Sequence, residues 1–265
     1  MKKPVKKPKK AQTPGLFIGI NKYPGGNSLA GCVNDANDWC NAFSGACTSQ
    51  TLLLDADATK SNIVSAMTKT IASMVPGGFA VITYSGHGSW VPDANGDEPD
   101  GRDECLCPYD CNDNLLLDDE IDLILSAKPA NSKILFVTDS CHSGSVYKMF
   151  RPQAASETRV KFLSPDLFAS QRLLKQIAAT PMKMKRASSG IIHLSGCLDT
   201  EYSYDTVFHS RPNGALTKHA ISALRKGFSY EKWYKAIRRK LPSANTPQTP
   251  LLNAVAEDKK LIIPL

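Results

Sequence analysis

His87 in "YSGHGSW" and Cys141 in "ILFVTDSCHSGS" are the two side chains on which chemistry could be built. A thiol beside an imidazole can pass its proton across. The thiolate then attacks a carbonyl carbon, and the imidazolium protonates the departing amine. A lone cysteine also serves as a small buried hydrophobe or a metal ligand, and a lone histidine is commonly just a hydrogen-bonded core residue. Context favours the reactive reading. Each residue follows an apolar run, "FAVIT" (79–83) or "ILFV" (134–137), and sits in a Gly/Ser-rich turn. The glycines beside His87 permit a sharp turn and an uncovered ring. The polar neighbours of Cys141 predict a thiol held open.

Those two residues need elements that bring them together. Five short apolar runs, 15–20, 51–55, 79–85, 133–140 and 190–196, read as strands buried on both faces. Helical patterns alternate with them. They cover 35–43, 59–75 (with Ile63, Met67, Ile71 and Met74 at helical spacing) and 118–126, which opens on acids suited to a helix N-terminus. Two more, "ALTKHAISALRKG" and "YEKWYKAIRRKL", lie near the end, and "KLIIPL" reads as a last strand. This alternation predicts one α/β domain with a mostly parallel sheet flanked by helices. Function in such sheets gathers beyond the carboxyl ends of the strands. His87 and Cys141 follow the third and fourth runs, and are expected at one sheet edge. Residues 86–117 read as a polar, acidic loop. Residues 146–189 read as a long basic, mobile loop with a helical candidate at 166–178.

Length and composition bound the rest. The 265 residues, 42% hydrophobic and 22% charged, suit one globular domain. No apolar run approaches the roughly 20 residues that span a bilayer, and no signal-peptide segment follows the start, so a cytoplasmic protein is expected. The net charge of +7 falls to about +1 once the six lysines of "MKKPVKKPKK" are removed. Residues 1–14 therefore read as a disordered Lys/Pro-rich tail ahead of a nearly neutral domain over 15–265. Contact of this tail with nucleic acid is not favoured, because no base-reading or stacking motif accompanies it. Eight cysteines without framework spacing read as reduced thiols.

"YSGHG" followed by "DSCHSGS" resembles the metacaspases, members of the caspase-like clan of cysteine peptidases. His87 precedes Cys141 by 54 residues, near the caspase-type separation. The likeness extends over "GINKYPGGNSLAGCVNDA" (19–36), "NGDEPDGRDECLCPYD" (95–110), "LDDEI" (117–121), "SGCLDTEYSYD" (195–205) and "NGALT" (213–217). It implies a caspase-like three-layer sandwich and an endopeptidase with His87 and Cys141 as its dyad. Backbone N–H groups of Gly88 and Cys141 would hold the oxyanion. It also implies a pocket built from Cys32, Asp35, Ser85 and Asp199 for the residue before the cleaved bond. Two carboxylates there favour protein substrates with Arg or Lys and repel Asp. By itself each acid has a plainer reading, Asp35 as a helix cap and Asp199 as a turn residue. Glu201 would make the pocket rim more acidic, and His142 reads as structural.

No organic cofactor is implied. Calcium is a possible activator, because Asp103, Asp118 and Asp119 match three family ligands. Lys148 stands where a fourth acid usually lies, which weakens the site. Cys105, Cys107 and Cys111 raise zinc as an alternative, but their spacing is not the usual paired arrangement. The basic loop and the expected specificity together predict self-cleavage after Lys185 or Arg186. A catalytically silent binding or scaffold relative is the rival reading.

Overall fold

The five apolar runs form the parallel part of a six-stranded sheet. A computed structural model describes residues 13–23, 27–92, 101–141, 158–168, 173, 177, 189–198 and 200–265. In chain order the elements are β1 (Pro14–Gly19), α1 (Cys32–Ala42), β2 (Ser49–Leu54), α2 (Lys60–Ser73), β3 (Phe79–Ser85), β4 (Gly88–Pro92), β5 (Arg102–Leu106), β6 (Leu116–Leu117) and α3 (Asp118–Ser126). They continue with β7 (Lys133–Asp139), β8 (Arg159–Val160), α4 (Pro165–Phe168), β9 (Ile191–Ser195), β10 (Tyr204–Phe208), β11 (Arg211–Gly214), α5 (Ala215–Ala223), α6 (Tyr230–Ile237), β12 (Leu251–Asn253) and α7 (Ala256–Lys259). The large sheet runs β12-β9-β7-β3-β1-β2. Only β12 is antiparallel to its neighbour.

Strand alternation splits the core into two layers. Leu16, Ile18, Ile82, Tyr84, Ile134 and Phe136 meet Ile63, Met67 and Ile71 of α2 and Ile121 and Leu125 of α3. Phe17, Val81, Leu135, Val137, Ile192 and Leu194 meet Trp39 of α1, Leu216 and Ala220 of α5 and Trp233 and Ile237 of α6. Helices on both faces make the expected three-layer sandwich. Among the described residues no helix is long and apolar enough to cross a membrane.

Two expectations change. "KLIIPL" is not a strand: Ile262 makes one isolated bridge to Ser229, and Ile263 is simply buried. Its apolar character reflects packing against the α6 side, and the sixth strand is the three-residue β12. The 86–117 segment is not all loop either, since β4, β5 and β6 form a small antiparallel sheet. Residues 1–12 and most of 146–189, including Lys148, Lys185 and Arg186, lie outside the described residues.

Candidate functional site

Strands β3 and β7 are paired so that Ser85 stands beside Asp139. Alternation sends both side chains to the face shared by Val81, Leu135 and Val137. Under that face lies α1, whose buried stripe is Cys32, Asp35, Ala36 and Trp39. The start of α1 is held by Asn21 Oδ1, which accepts from the N–H groups of Cys32 and Val33 at 2.8 and 3.2 Å. Asp205 Oδ2 accepts from Ala30 and Gly31 at 2.6 and 3.1 Å. These caps fix the turn carrying Asp35, which is fully buried. Asp35 Oδ1 accepts from Asn213 Nδ2 at 2.9 Å and from the Gly214 N–H at 3.0 Å. Asp139 Oδ2 accepts from the Thr217 N–H at 2.9 Å and its hydroxyl at 2.8 Å, while Ser203 Oγ donates to Asp139 Oδ1 at 2.7 Å. A Cβ on Gly214 would lie 2.2 Å from Asp139 Oδ2, so a glycine is required where β11 meets this cluster.

Between the two carboxylates sits Lys161, a residue of the same chain with no solvent exposure. Its ammonium lies 3.2 Å from Asp35 Oδ2, 3.1 Å from Asp139 Oδ1 and 2.9 Å from Ser85 Oγ. Three acceptors match the three N–H donors of a lysine. Burial works against the Lys161 cation, but the carboxylates of Asp139 and Asp35 outweigh it and hold the ammonium charged. Burial likewise pushes the Asp35 carboxyl up to about 6, opposed by Lys161 and reinforced by Asp139. The Cys32 thiol, beside the same ammonium, is pushed well up by burial.

The backbone of Lys161 is equally engaged. Its carbonyl oxygen accepts from the N–H groups of Gly88 at 3.0 Å and Cys141 at 3.2 Å. A Cβ on Gly88 would fall 1.9 Å from the Cys141 carbonyl oxygen, so only glycine lets these two turns approach so closely. His87 Nε2 lies 2.7 Å from the Asn27 carbonyl oxygen. A carbonyl only accepts, so Nε2 carries the proton and the neutral ring keeps its lone pair on Nδ1. That Nδ1 is buried and has no hydrogen-bond partner among the described residues. Burial is the main force pushing the His87 imidazole down to about 4. The Asn27 and Lys161 backbone favour the cation, and the Lys161 ammonium opposes it. The Cys141 sulfur accepts from the Ser203 N–H at 2.7 Å. Imidazole and thiol turns thus meet at one carbonyl group, with two N–H donors already aimed at its oxygen.

The thiol is not open, contrary to the expectation from its polar neighbours. Cys141 is fully buried, with its N–H on the Lys161 carbonyl and its sulfur against the Ser203 N–H. Of the expected pocket, Cys32, Asp35 and Ser85 are brought together, and Asp199 lies outside the described residues. The acid found opposite Asp35 is Asp139, which sequence reasoning missed, as it missed Lys161, Ser203, Asn213 and Thr217. The last two belong to the "NGALT" stretch, so its likeness to the family carried a signal that was not followed to single residues. Glu201 is half-buried, and its carboxylate accepts from the N–H and hydroxyl of Thr249. His142 lies outside the described residues. Cys105, Cys107 and Cys111 are packed into the core. Asp103 is on β5, and Asp118 and Asp119 open α3. Among the described residues no three His, Cys, Asp or Glu side chains form a metal-holding group.

The depressed imidazole has a consequence for acid stability. From the usual 6.5 down to about 4, the unfolded chain takes up the His87 proton while the fold does not, so the fold loses stability as pH falls. Asp35, raised instead, shifts stability the opposite way. The difference between wild type and His87→Asn isolates the imidazole. That difference is expected to move by on the order of 3 kcal/mol against the wild type between pH 7 and pH 4. Denaturant melts at a series of pH values measure it, and a constant difference would mean an imidazole that titrates normally.

Known proteins share this architecture. A sequence profile of the caspase domain matches residues 15–262. Metacaspase-1 of Cryptococcus neoformans var. neoformans is 29% identical over 281 residues, covering 90% of this chain and 61% of that protein. Metacaspase-1 of Coccidioides immitis is 30% identical over 269 residues, covering 86% and 58%. Metacaspase-1 of Pyricularia oryzae is 30% identical over 264 residues, covering 84% and 67%. The chain thus spans less than two thirds of the length of the first two relatives. A crystal structure of a protein from Geobacter sulfurreducens matches with a TM-score of 0.77 at 28% identity, covering 94% of this chain and 97% of that one. With the caspase domain matched from strand β1 to the last residues, the chain belongs to the caspase-like clan of cysteine peptidases and, within it, to the metacaspases.

Proposed function

We propose that this protein is a cysteine endopeptidase that cuts peptide bonds after Lys or Arg, with Cys141 as nucleophile and His87 as general base and acid. One observation carries the reading. A lysine side chain is clasped by Asp35, Asp139 and Ser85 while its own carbonyl oxygen receives the N–H groups of Gly88 and Cys141. In the scheme, Nδ1 of His87 takes the thiol proton and the sulfur attacks the carbonyl carbon. The two N–H groups hold the developing oxyanion, a role suited to fixed donors in a water-poor site. The imidazolium returns its proton to the leaving amine, and water then hydrolyses the acyl-enzyme. The scheme needs no organic cofactor.

A panel of fluorogenic peptides varying only the residue before the cleaved bond tests this reading. Lys and Arg peptides are expected to be turned over and Asp peptides refused, since a third carboxylate beside Asp35 and Asp139 is repelled. Comparable turnover of the Asp peptide would remove the acidic pair from the specificity pocket. No turnover of any peptide would favour a binding or scaffold role.

Calcium enters only as an activator with affinity on the order of millimolar. Asp103, Asp118 and Asp119 make no metal-holding group by themselves among the described residues, and no step is routed through the ion. Lys148→Asp is expected to tighten calcium binding by restoring an oxygen ligand. Calorimetry showing micromolar binding by the unchanged protein would contradict this.

A further inference from the structure

Two thiols end neighbouring strands side by side, and we propose that Cys141 and Cys197 form a reversible disulfide that switches the peptidase off under oxidation. Strands β7 and β9 run parallel, with Thr138 opposite Ser195. Cys141 is the second residue beyond the end of β7, and Cys197 is the second beyond the end of β9. The two turns are pressed together. The Cys197 sulfur lies 3.9 Å from the carbonyl oxygen of Ser140, the residue before Cys141, and 3.5 Å from that of Glu201. The Cys141 sulfur rests against the same stretch two residues on, 2.7 Å from the Ser203 nitrogen and 3.5 Å from its carbonyl oxygen. Gly196 permits this approach, since a Cβ there would fall 2.7 Å from Ser203 Oγ. The Cys197 thiol is hydrogen-bonded to the Cys141 sulfur itself. Both thiols are free, and peptide cleavage makes no use of Cys197.

The two sulfurs are unequal, which sets the order of events. Contact with the Cys141 sulfur first, and burial second, push the Cys197 thiol well up, so it keeps its proton. Cys141 gives its proton to His87 in the peptidase scheme and is the sulfur that supplies a thiolate. Oxidation follows thiolate character. The oxidant is a peroxide. The Cys141 thiolate attacks its O–O bond, becomes a sulfenic acid and releases hydroxide, which takes the proton held by His87 and leaves as water. The Cys197 sulfur then attacks the sulfenic sulfur, the S–O bond breaks, and the hydroxyl departs as water with the Cys197 proton. Two thiols and one peroxide thus become one disulfide and two waters. A dithiol returns the two electrons and restores both thiols. Cys141 bound to Cys197 has no thiolate to attack a carbonyl. It is also held back from sulfinic acid, a stage that a dithiol does not reverse. The loss of activity rests on the reading of Cys141 as nucleophile, whereas the bond itself does not.

The test treats full-length protein with graded hydrogen peroxide and maps unreduced digests by mass spectrometry. Wild type is expected to yield a peptide linking Cys141 to Cys197. Turnover of a Lys peptide is read on the Lys161→Ala background, where the pocket is empty of its own lysine. It should fall at least about tenfold as the link appears, for loss of the nucleophile, and return with dithiothreitol. With Cys197→Ala added, Cys141 should be found as sulfinic acid and dithiothreitol should return little turnover. Cys197→Ser should behave as Cys197→Ala, because a hydroxyl does not resolve a sulfenic acid, and this separates the redox role from packing. Sulfinic acid at Cys141 in wild type with Cys197 left free, or a link confined to other cysteines, overturns the proposal and leaves the peptidase reading standing. A complete link with undiminished turnover overturns both. No turnover by the reduced protein overturns the peptidase reading and, with it, the switch.

Discussion

Replacing Cys141 by Ala on a Lys161→Ala background is expected to abolish turnover of a Lys peptide, a loss on the order of a thousandfold or more. The background substitution empties the pocket of its own lysine, so a blocked cleft cannot account for the loss. The fold should survive. Removing one sulfur takes away little packing, although the Ser203 N–H, 2.7 Å from that sulfur, loses its acceptor. A buried donor left without a partner costs about 1–3 kcal/mol, visible in a melt yet short of unfolding. His87→Ala on the same background removes the base and leaves the thiol in place. Its loss is expected to be about a hundred- to ten-thousandfold, the contribution of a positioned general base. Turnover near the parent's in the Cys141→Ala protein, shown to be folded by its melt, would take the thiol out of the mechanism.

The elements that position these residues were readable because they are of two strongly marked kinds. Strands buried on both faces are near-continuous apolar runs, as in "FAVIT" and "KILFV", and α2 repeats its apolar residues at helical spacing. The small sheet of β4, β5 and β6 carries no such mark. "GSWVP" and "RDECL" mix polar and apolar residues, and β6 is two residues long. Strand β12 fails for the opposite reason: three residues after a proline are too few to show a period. "KLIIPL" is apolar because Ile263 is buried, and burial alone does not distinguish a strand from a packed terminus.

The site was legible where chemistry shows in the residue type and illegible where it arises from docking. His87, Cys141 and Asp35 announce themselves as groups that react or carry charge. Asp139 was within reach: Leu135, Val137 and Asp139 alternate onto one face, and the register with β3 sets Asp139 beside Ser85. Lys161 was not. In a basic stretch of chain a lysine reads as a solvated charge, and its partner Asp35 lies 126 residues away. Only the three-dimensional path of residues 159–163 turns that lysine into the occupant of an acidic pocket.

Neutralising either acid of that pocket should weaken both the handling of external peptides and the grip on Lys161. In Asp35→Asn and Asp139→Asn the ammonium keeps one carboxylate where it had two. Each carboxylate oxygen accepts at least one hydrogen bond, so an amide nitrogen would face a donor in either orientation. Breaking a buried, hydrogen-bonded charge arrangement from one side costs about 2–5 kcal/mol, which converts to roughly thirty- to several-thousandfold in kcat/KM. The loss should fall on Lys and Arg peptides alike, because both depend on the same two charges. Asp38→Asn is the matched control. Asp38 pairs with Arg211 at 2.6 Å and shares Asn213 with Asp35, but the Arg211 side chain is 44% and that of Asp38 28% exposed. Solvent-exposed pairs of this kind contribute about 0–1 kcal/mol, so its kcat/KM should change less than about fivefold. Asp199→Asn completes the series. If it costs more than Asp139→Asn, the second acid of the pocket is Asp199, and the Asp35–Asp139 pair serves only to hold Lys161.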